Sequence, residues 1–314
     1  MPITERLETM FVIASPGQGS QKPGFLSPWL EHPEHAATLE RWSESLGIDL
    51  VTHGTTSDLE TITDTAIAQP LIVAAGILTG RALLAALPGD QLLSFAGHSV
   101  GEFSAAALSG VLTDEDALSL VALRGKAMAQ ASALEATGMA AIIGGEIDQV
   151  EAALVAAGLH PANYNGGGQV VAAGAQSALD AFATAPPAGM RVIPLTVAGA
   201  FHTPYMASAV QALAEAAAKT PSQDPRSPLY TNRDGSRVTT GRDALAYLVD
   251  QVARPVRWDY CMASFEKDNI EGMIELAPAG ALAGLAKRAL KGTPTVALNN
   301  PDDINTARDM VIAS

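Results

Sequence analysis

The 314-residue sequence is 48% hydrophobic and only 17% charged, which suits a well-buried interior. Its formal net charge of −14 argues against nucleic acid or an anionic membrane surface as the main partner. The single cysteine, Cys261, excludes a disulfide framework or a cysteine metal cluster within the chain and fits a reduced, cytoplasmic setting.

The opening Met1-Pro2-Ile3-Thr4-Glu5-Arg6 lacks the basic, apolar, small-residue order of an export signal, and no uncharged run is long enough to span a bilayer. Phe11-Val12-Ile13-Ala14 reads as a short buried strand running into the glycine-rich loop Ser15-Pro16-Gly17-Gln18-Gly19-Ser20. Glu31-His32-Pro33-Glu34-His35 reads as a solvated, proline-broken loop, and His53 falls in another turn-like segment. Ala66 to Leu84, apolar nearly all round, is expected to be a core helix. Leu92 to Ala96 is a second buried strand, ending in Gly97-His98-Ser99-Val100-Gly101-Glu102, with helix returning from Phe103 to Gly110. Thr113-Asp114-Glu115-Asp116 is a capping box for a helix that runs to about Ser132 and carries Arg124.

Between Met139 and Val197 the pattern reads strand, helix, strand, strand, helix, strand, the split ferredoxin-like plan. The expected fold is therefore α/β: a hydrolase-like large subdomain from residues 1–132 and 198–314, with an inserted ferredoxin-like small subdomain at 133–197. Helix at Leu245 to Val252 and a buried strand at Gly272 to Leu276 complete the large part. A late helix begins near Ala279 and carries Lys287, Arg288 and Lys291, the two lysines four residues apart on one face.

Gly97-x-Ser99-x-Gly101 after a buried strand is the pattern of a nucleophile elbow. Its glycines allow a sharp strand-to-helix turn that exposes the serine hydroxyl and aims backbone amides at a developing oxyanion. A serine nucleophile needs a base, most often histidine. His98 adjoins the serine, but the side chain before an elbow serine points away from the hydroxyl. His160 lies in the insertion, and His32 and His35 make a weak metal reading, so no metal site is expected. His202 follows Gly199-Ala200-Phe201 at the expected mouth between the subdomains and is the choice for base, although a satisfied loop histidine fits the residues equally well. Cys261 lies outside every motif and reads as packing.

Taken together, Pro16-Gly17-Gln18-Gly19-Ser20-Gln21, Ala68-Gln69-Pro70-Leu71, the elbow, Arg124-Gly125, Ala200-Phe201-His202-Thr203 and Gln251-x-x-Arg254-Pro255-Val256-Arg257-Trp258 follow one order. Across roughly residues 11 to 290 the chain thereby resembles the malonyl-coenzyme A:acyl carrier protein transacylases, including the acyltransferase domains of fatty acid and polyketide synthases. The resemblance implies acylation of Ser99, His202 as base and then acid, and oxyanion donors from the backbone amides of Gln18 and Val100. It implies further that the Gln251 carbonyl orients His202, and that Arg124, by itself readable as a surface arginine, grips the malonyl carboxylate through a planar fork. His98, Asn165 and Phe201 would line the pocket, with Phe201 crowding a branched donor, although Gly166-Gly167 after Asn165 departs from the usual pattern.

The implied substrates are malonyl-coenzyme A and a phosphopantetheinylated acyl carrier protein, with no cofactor and with fatty acid synthesis as the default setting. The carrier would dock on Lys287, Arg288 and Lys291, with Lys22 near the site mouth, and no exposed heptad or edge signal demands a dimer. A serine hydrolase is the competing enzyme class, but it would carry an acid between serine and histidine and needs no cation; an inactive docking scaffold fits the intact motif residues poorly.

Overall fold

The computed structural model describes residues 10–89 and 91–313, so the reading of Met1 to Arg6 as lacking an export signal lies outside them. The described strands are β1 (Met10–Ser15), β2 (Leu92–Gly97), β3 (Thr137–Ile143), β4 (His160–Gly166), β5 (Gln169–Ala175), β6 (Arg191–Leu195), β7 (Val256–Arg257), β8 (Gly272–Glu275) and β9 (Thr295–Ala297).

The first sheet is parallel, in the order β2-β1-β8-β9. Every residue of β1 is buried, which explains why it reads as an unbroken apolar run rather than an alternating one. The register sets Ser15 beside Gly97 and Ala14 beside Glu275, so the loops leaving three strands emerge together at one edge. Open α/β sheets place their sites at this carboxyl edge. Leu229 extends the sheet with a parallel bridge to Phe95, where the chain returns from the insertion.

The helix Thr65–Ala86 packs mainly against the helices Asp114–Ser132 and Gly101–Leu108 and starts at Asp64, whose side chain accepts the Ala66 N–H at 2.8 Å. Among the described residues it alone is long and apolar enough to cross a membrane by composition, and most of it is buried inside the protein. Thr113 opens the helix Asp114–Ser132 by accepting the Asp116 N–H at 3.0 Å and donating its hydroxyl to the same carboxylate at 2.7 Å.

The second sheet has the order β6-β3-β5-β4-β7, and its first four strands are antiparallel with the two helices Ile147–Ala156 and Gln176–Thr184 between them in sequence. This is the ferredoxin-like arrangement. Strands β3 and β5 alternate: Ala140, Ile142, Val170 and Ala172 pack with Leu154, Leu179 and Phe182 in a core of their own. Met139, Val171 and Ala173 face the other way, into the main core. The short strand β7 comes from outside the insertion and pairs in parallel with β4 at Asn163 and Tyr164, so a later segment of the chain completes the insertion's sheet.

Three local expectations are corrected. The stretch containing His32 and His35 is not a solvated loop: Pro33 starts the helix Pro33–Leu46, because proline already has the φ of a first helical residue and needs no N–H there. His35 sits in its first turn with Nδ1 3.0 Å from the Trp29 carbonyl. The helix expected from Leu245 begins earlier, at Gly241, where Thr240 accepts the Asp243 N–H at 3.1 Å. The late helix spans only Ala281–Ala289, so Lys291 lies beyond it and is not on one face with Lys287. The turn from Leu290 to Thr293, with Gly292 at φ 91° and Pro294 next, stops the helix.

Candidate active site

Strand β2 ends at Gly97, and the helix Gly101–Leu108 begins four residues later, so the chain reverses within the elbow. A Cβ built on Gly97 would lie 2.1 Å from the Gly101 carbonyl carbon, and one on Gly101 would lie 2.2 Å from the Ser15 oxygen. Neither position tolerates a side chain. Between them Ser99 holds φ 53°, a left-handed conformation that costs a non-glycine residue and persists only when its surroundings enforce it. Asn232 supplies the enforcement: its Oδ1 accepts the Ser99 N–H at 2.7 Å, and its Nδ2 donates to the Gly97 carbonyl at 2.7 Å.

The Ser99 Oγ lies 2.6 Å from His202 Nε2, and His202 Nδ1 lies 2.7 Å from the Gln251 carbonyl oxygen. A carbonyl only accepts, so Nδ1 carries the proton and Nε2 is left to receive one from the serine. Like Ser99, His202 has a positive φ, 61°. Burial, followed by the nearby Arg124 charge, pushes its imidazole down to about 3, which keeps it neutral, with Nε2 open to accept a proton, in ordinary buffers.

Arg124 is not a surface arginine; it is 1% exposed. Its Nη1 donates to Gln69 Oε1 at 2.6 Å and its Nη2 to Gln251 Oε1 at 2.9 Å, while Nε has no partner and the guanidinium carbon sits 5.9 Å from the Phe103 ring centre. Burial lowers its pKa to about 10, and the Glu102 carboxylate partly offsets this. Glu102, also buried, accepts the Asn232 N–H at 2.7 Å and the Gln251 side-chain amide; burial raises its pKa to about 7 against those donors. Gln251 Nε2 donates as well to the Ser99 carbonyl, at 3.1 Å.

Glu102, Asn232 and Gln69 were not singled out by sequence. Glu102 and Gln69 stood inside quoted motifs, where a residue type able to bond an amide or guanidinium was the available signal. Asn232 stands outside every motif.

Gln18 ties its side chain to the Thr63 carbonyl at 3.2 Å. Among the described residues, the backbone N–H of neither Gln18 nor Val100 is used in a hydrogen bond. His98 Nε2 lies 2.9 Å from Asn165 Oδ1, Asn165 Nδ2 donates to Gln169 Oε1 at 3.0 Å, and the His98 ring meets the Trp258 ring edge-on at 5.8 Å. Phe201 is buried immediately before His202. Cys261 is buried with its thiol donating to the Thr231 carbonyl at 3.3 Å, and burial raises its pKa well above the usual thiol range. Lys287, Arg288 and Lys291 are exposed and lie outside the serine–histidine network, as does Lys22. Among the described residues no cluster of three or more His, Cys, Asp or Glu side chains is placed to hold a metal ion.

Comparison with known proteins gives consistent matches over nearly the whole chain. Residues 10–307 match the family described as acyl transferase domain. The malonyl CoA-acyl carrier protein transacylase of Mycobacterium tuberculosis is 47% identical over 298 residues, covering 94% of this chain and 98% of the relative. That of Escherichia coli K12 is 34% identical over 310 residues, covering 96% of this chain and all of the relative. The crystal structure of the M. tuberculosis enzyme superposes with a TM-score of 0.91 at 46% identity, covering 95% of this chain and 99% of that one. A malonyl-transacylase solved in complex with its type II polyketide acyl carrier protein superposes at 0.90 with 30% identity, covering 96% of this chain and 99% of that one.

Proposed function

The chain belongs to the acyl transferase domain family and, within it, to the malonyl CoA-acyl carrier protein transacylases, and on that premise we propose how its residues carry the malonyl group from coenzyme A to an acyl carrier protein. The observation that carries the reading is a single hydrogen-bonded network joining the Ser99–His202 pair, through Gln251, to the buried Arg124.

Ser99 Oγ attacks the thioester carbonyl of malonyl-coenzyme A while His202 Nε2 takes its proton, as the 2.6 Å separation supports. The unused amides of Gln18 and Val100 bind the oxyanion that forms. The carbon–sulfur bond then breaks, His202 returns the proton to the leaving sulfur, and malonyl-Ser99 remains. The carrier's phosphopantetheine thiol enters second, loses its proton to His202, and attacks the ester carbonyl. The Ser99 oxygen leaves with that proton. The Gln251 carbonyl holds the imidazole tautomer without placing a full negative charge beside it, unlike the carboxylate of a hydrolase triad.

Arg124 holds the free carboxylate of the donor, using the guanidinium donors that Gln69 and Gln251 leave open. Phe201, buried just before His202, crowds a branching methyl, and His98 and Asn165, paired at 2.9 Å, line the pocket. The carrier docks at Lys287 and Arg288, a position supported by the site's own loop: a Cβ on Gly167 would lie 3.2 Å from Arg288 Cβ, and Gly167 is two residues beyond Asn165. One chain supplies Ser99, His202, Gln251 and Arg124, so we take a cytoplasmic monomer without a cofactor as the working unit, with fatty acid synthesis as its setting.

The test is a two-step assay with radiolabelled malonyl-coenzyme A. Label should attach to Ser99, be absent in Ser99→Ala, and move to a phosphopantetheinylated carrier on addition. Rapid release of free malonate without transfer, or label on another residue, would make the protein a hydrolase or misplace the nucleophile.

A further inference from the structure

Glu102 and Arg124 are the two opposite charges buried beneath the elbow, yet they do not touch. The Gln251 side-chain amide stands between them, its oxygen accepting from Arg124 Nη2 at 2.9 Å and its nitrogen donating to Glu102. A carboxylate in direct contact would occupy the guanidinium's planar fork. Held one amide away, Glu102 supplies compensating charge while the fork keeps donors open, Nε among them.

We propose that Glu102 is a positioning residue for acyl-donor selectivity, orienting Arg124 toward the donor's carboxylate by fixing which way the Gln251 amide faces. An amide can present either its oxygen or its nitrogen to a neighbour, and its partners decide which. The ionised Glu102 carboxylate only accepts, so together with the Ser99 carbonyl at 3.1 Å it draws Gln251 Nε2 and turns Oε1 toward Arg124. Its other oxygen accepts the Asn232 N–H at 2.7 Å, so the carboxylate cannot swing away. Glu102 sits in the first turn of the elbow helix, so the element that presents Ser99 also sets the carboxylate pocket. Burial raises Glu102 to about 7, so the acceptor-only carboxylate predominates above that pH.

This inference rests on Arg124 holding the donor carboxylate, and two variants separate the claims. In Glu102→Gln, a single amide oxygen replaces the two that accepted the Asn232 N–H and Gln251 Nε2, so one of those donors faces an NH2. The restraint on the Gln251 amide, and through it on Arg124, is weakened. Ser99 acylation by malonyl-coenzyme A should lose about tenfold or more in kcat/KM, mostly through KM, while acylation by acetyl-coenzyme A changes only a few fold. Glu102→Ala removes the carboxylate altogether and leaves Gln251 Nε2 only the Ser99 carbonyl, so it should give the same malonyl-selective loss.

Acetyl labelling of Ser99 reports that each variant is folded, and either Glu102 variant serves alone if the other is not. If malonyl and acetyl rates fall in equal proportion in a folded variant while Arg124→Ala still discriminates, Glu102 is structural and the proposal fails. If Arg124→Ala itself shows no discrimination, the reading of Arg124 fails first.

Discussion

Asn232 and Ser99, separated by 133 positions in the chain, meet at 2.7 Å, the asparagine oxygen taking the backbone N–H of the nucleophile. The same side chain donates to the Gly97 carbonyl, so it clamps both ends of the strained turn. Asn232→Ala would leave a buried N–H and a buried carbonyl without partners, at about 1–3 kcal/mol for each group. We expect a lower unfolding midpoint and at least a tenfold slower acylation of Ser99, since φ 53° loses its restraint. Asn232→Asp keeps the acceptor for Ser99 but sets an oxygen against the Gly97 carbonyl, so it should fall between. Wild-type acylation in Asn232→Ala would show that the turn holds itself.

Arg124→Ala separates substrate choice from bond-making. Its charge-assisted hydrogen bonds are worth about 1.5–3 kcal/mol each, so malonyl kcat/KM should drop about a hundredfold. Acetyl donors present no second carboxylate and should react within a few fold of wild type, or faster, because a buried guanidinium with an unpaired Nε is gone. Side-by-side acylation rates with the two thioesters decide it.

The pH dependence follows from His202, held near 3 in the folded protein against 6.5 for a free imidazole. Between those values the unfolded chain binds a proton that the folded chain refuses, so this group's contribution is present above pH 6.5 and is lost as pH falls. From pH 6.5 to 5 the loss amounts to about 2 kcal/mol, at about 1.4 kcal/mol per unit. Glu102, raised to about 7, works in the opposite direction over the same range. His202→Gln should therefore lose less stability than wild type between pH 7 and pH 5, read by denaturant unfolding at both values. Equal losses would mean that His202 protonates normally when folded. The base also stays neutral through pH 5.5, so acetyl acylation of Ser99 should show no rate loss with an apparent pKa near 6.5.

Charge reversal at Lys287 and Arg288 tests the docking surface. Both are exposed near the hairpin that follows Asn165, and the protein as a whole is acidic, so steering an acidic carrier depends on such local positive charge. The double variant should raise KM for the carrier several fold at low salt and flatten its salt dependence, leaving malonyl-Ser99 formation much less affected. Unchanged carrier kinetics at low ionic strength would remove this helix end from the interface.

The elbow was legible in the sequence because its steric needs fall at fixed spacing around Ser99. Gly97 is demanded by contacts of its own turn, and Gly101 by the Ser15 carbonyl at the end of the neighbouring strand. The ferredoxin-like insertion was legible for a similar reason, since strand alternation and helical periodicity repeat along the chain. Resemblance across ordered motifs then pointed to His202, Arg124 and Gln251. What the chain did not announce was how these groups are held. Arg124 read equally well as a surface arginine until its bonds to Gln69 and Gln251, 55 and 127 positions away, were in view. Glu102 joins Gln251 across 149 positions and Asn232 across 130, and no periodicity encodes such pairs. Lys291 left the helix because a glycine turn and a proline outweighed the four-residue spacing. Propensity and steric exclusion act between neighbours and can be read residue by residue. Burial and the pairing of distant polar groups exist only once the two sheets close around them, and there the tertiary structure alone decided which amide faces which charge.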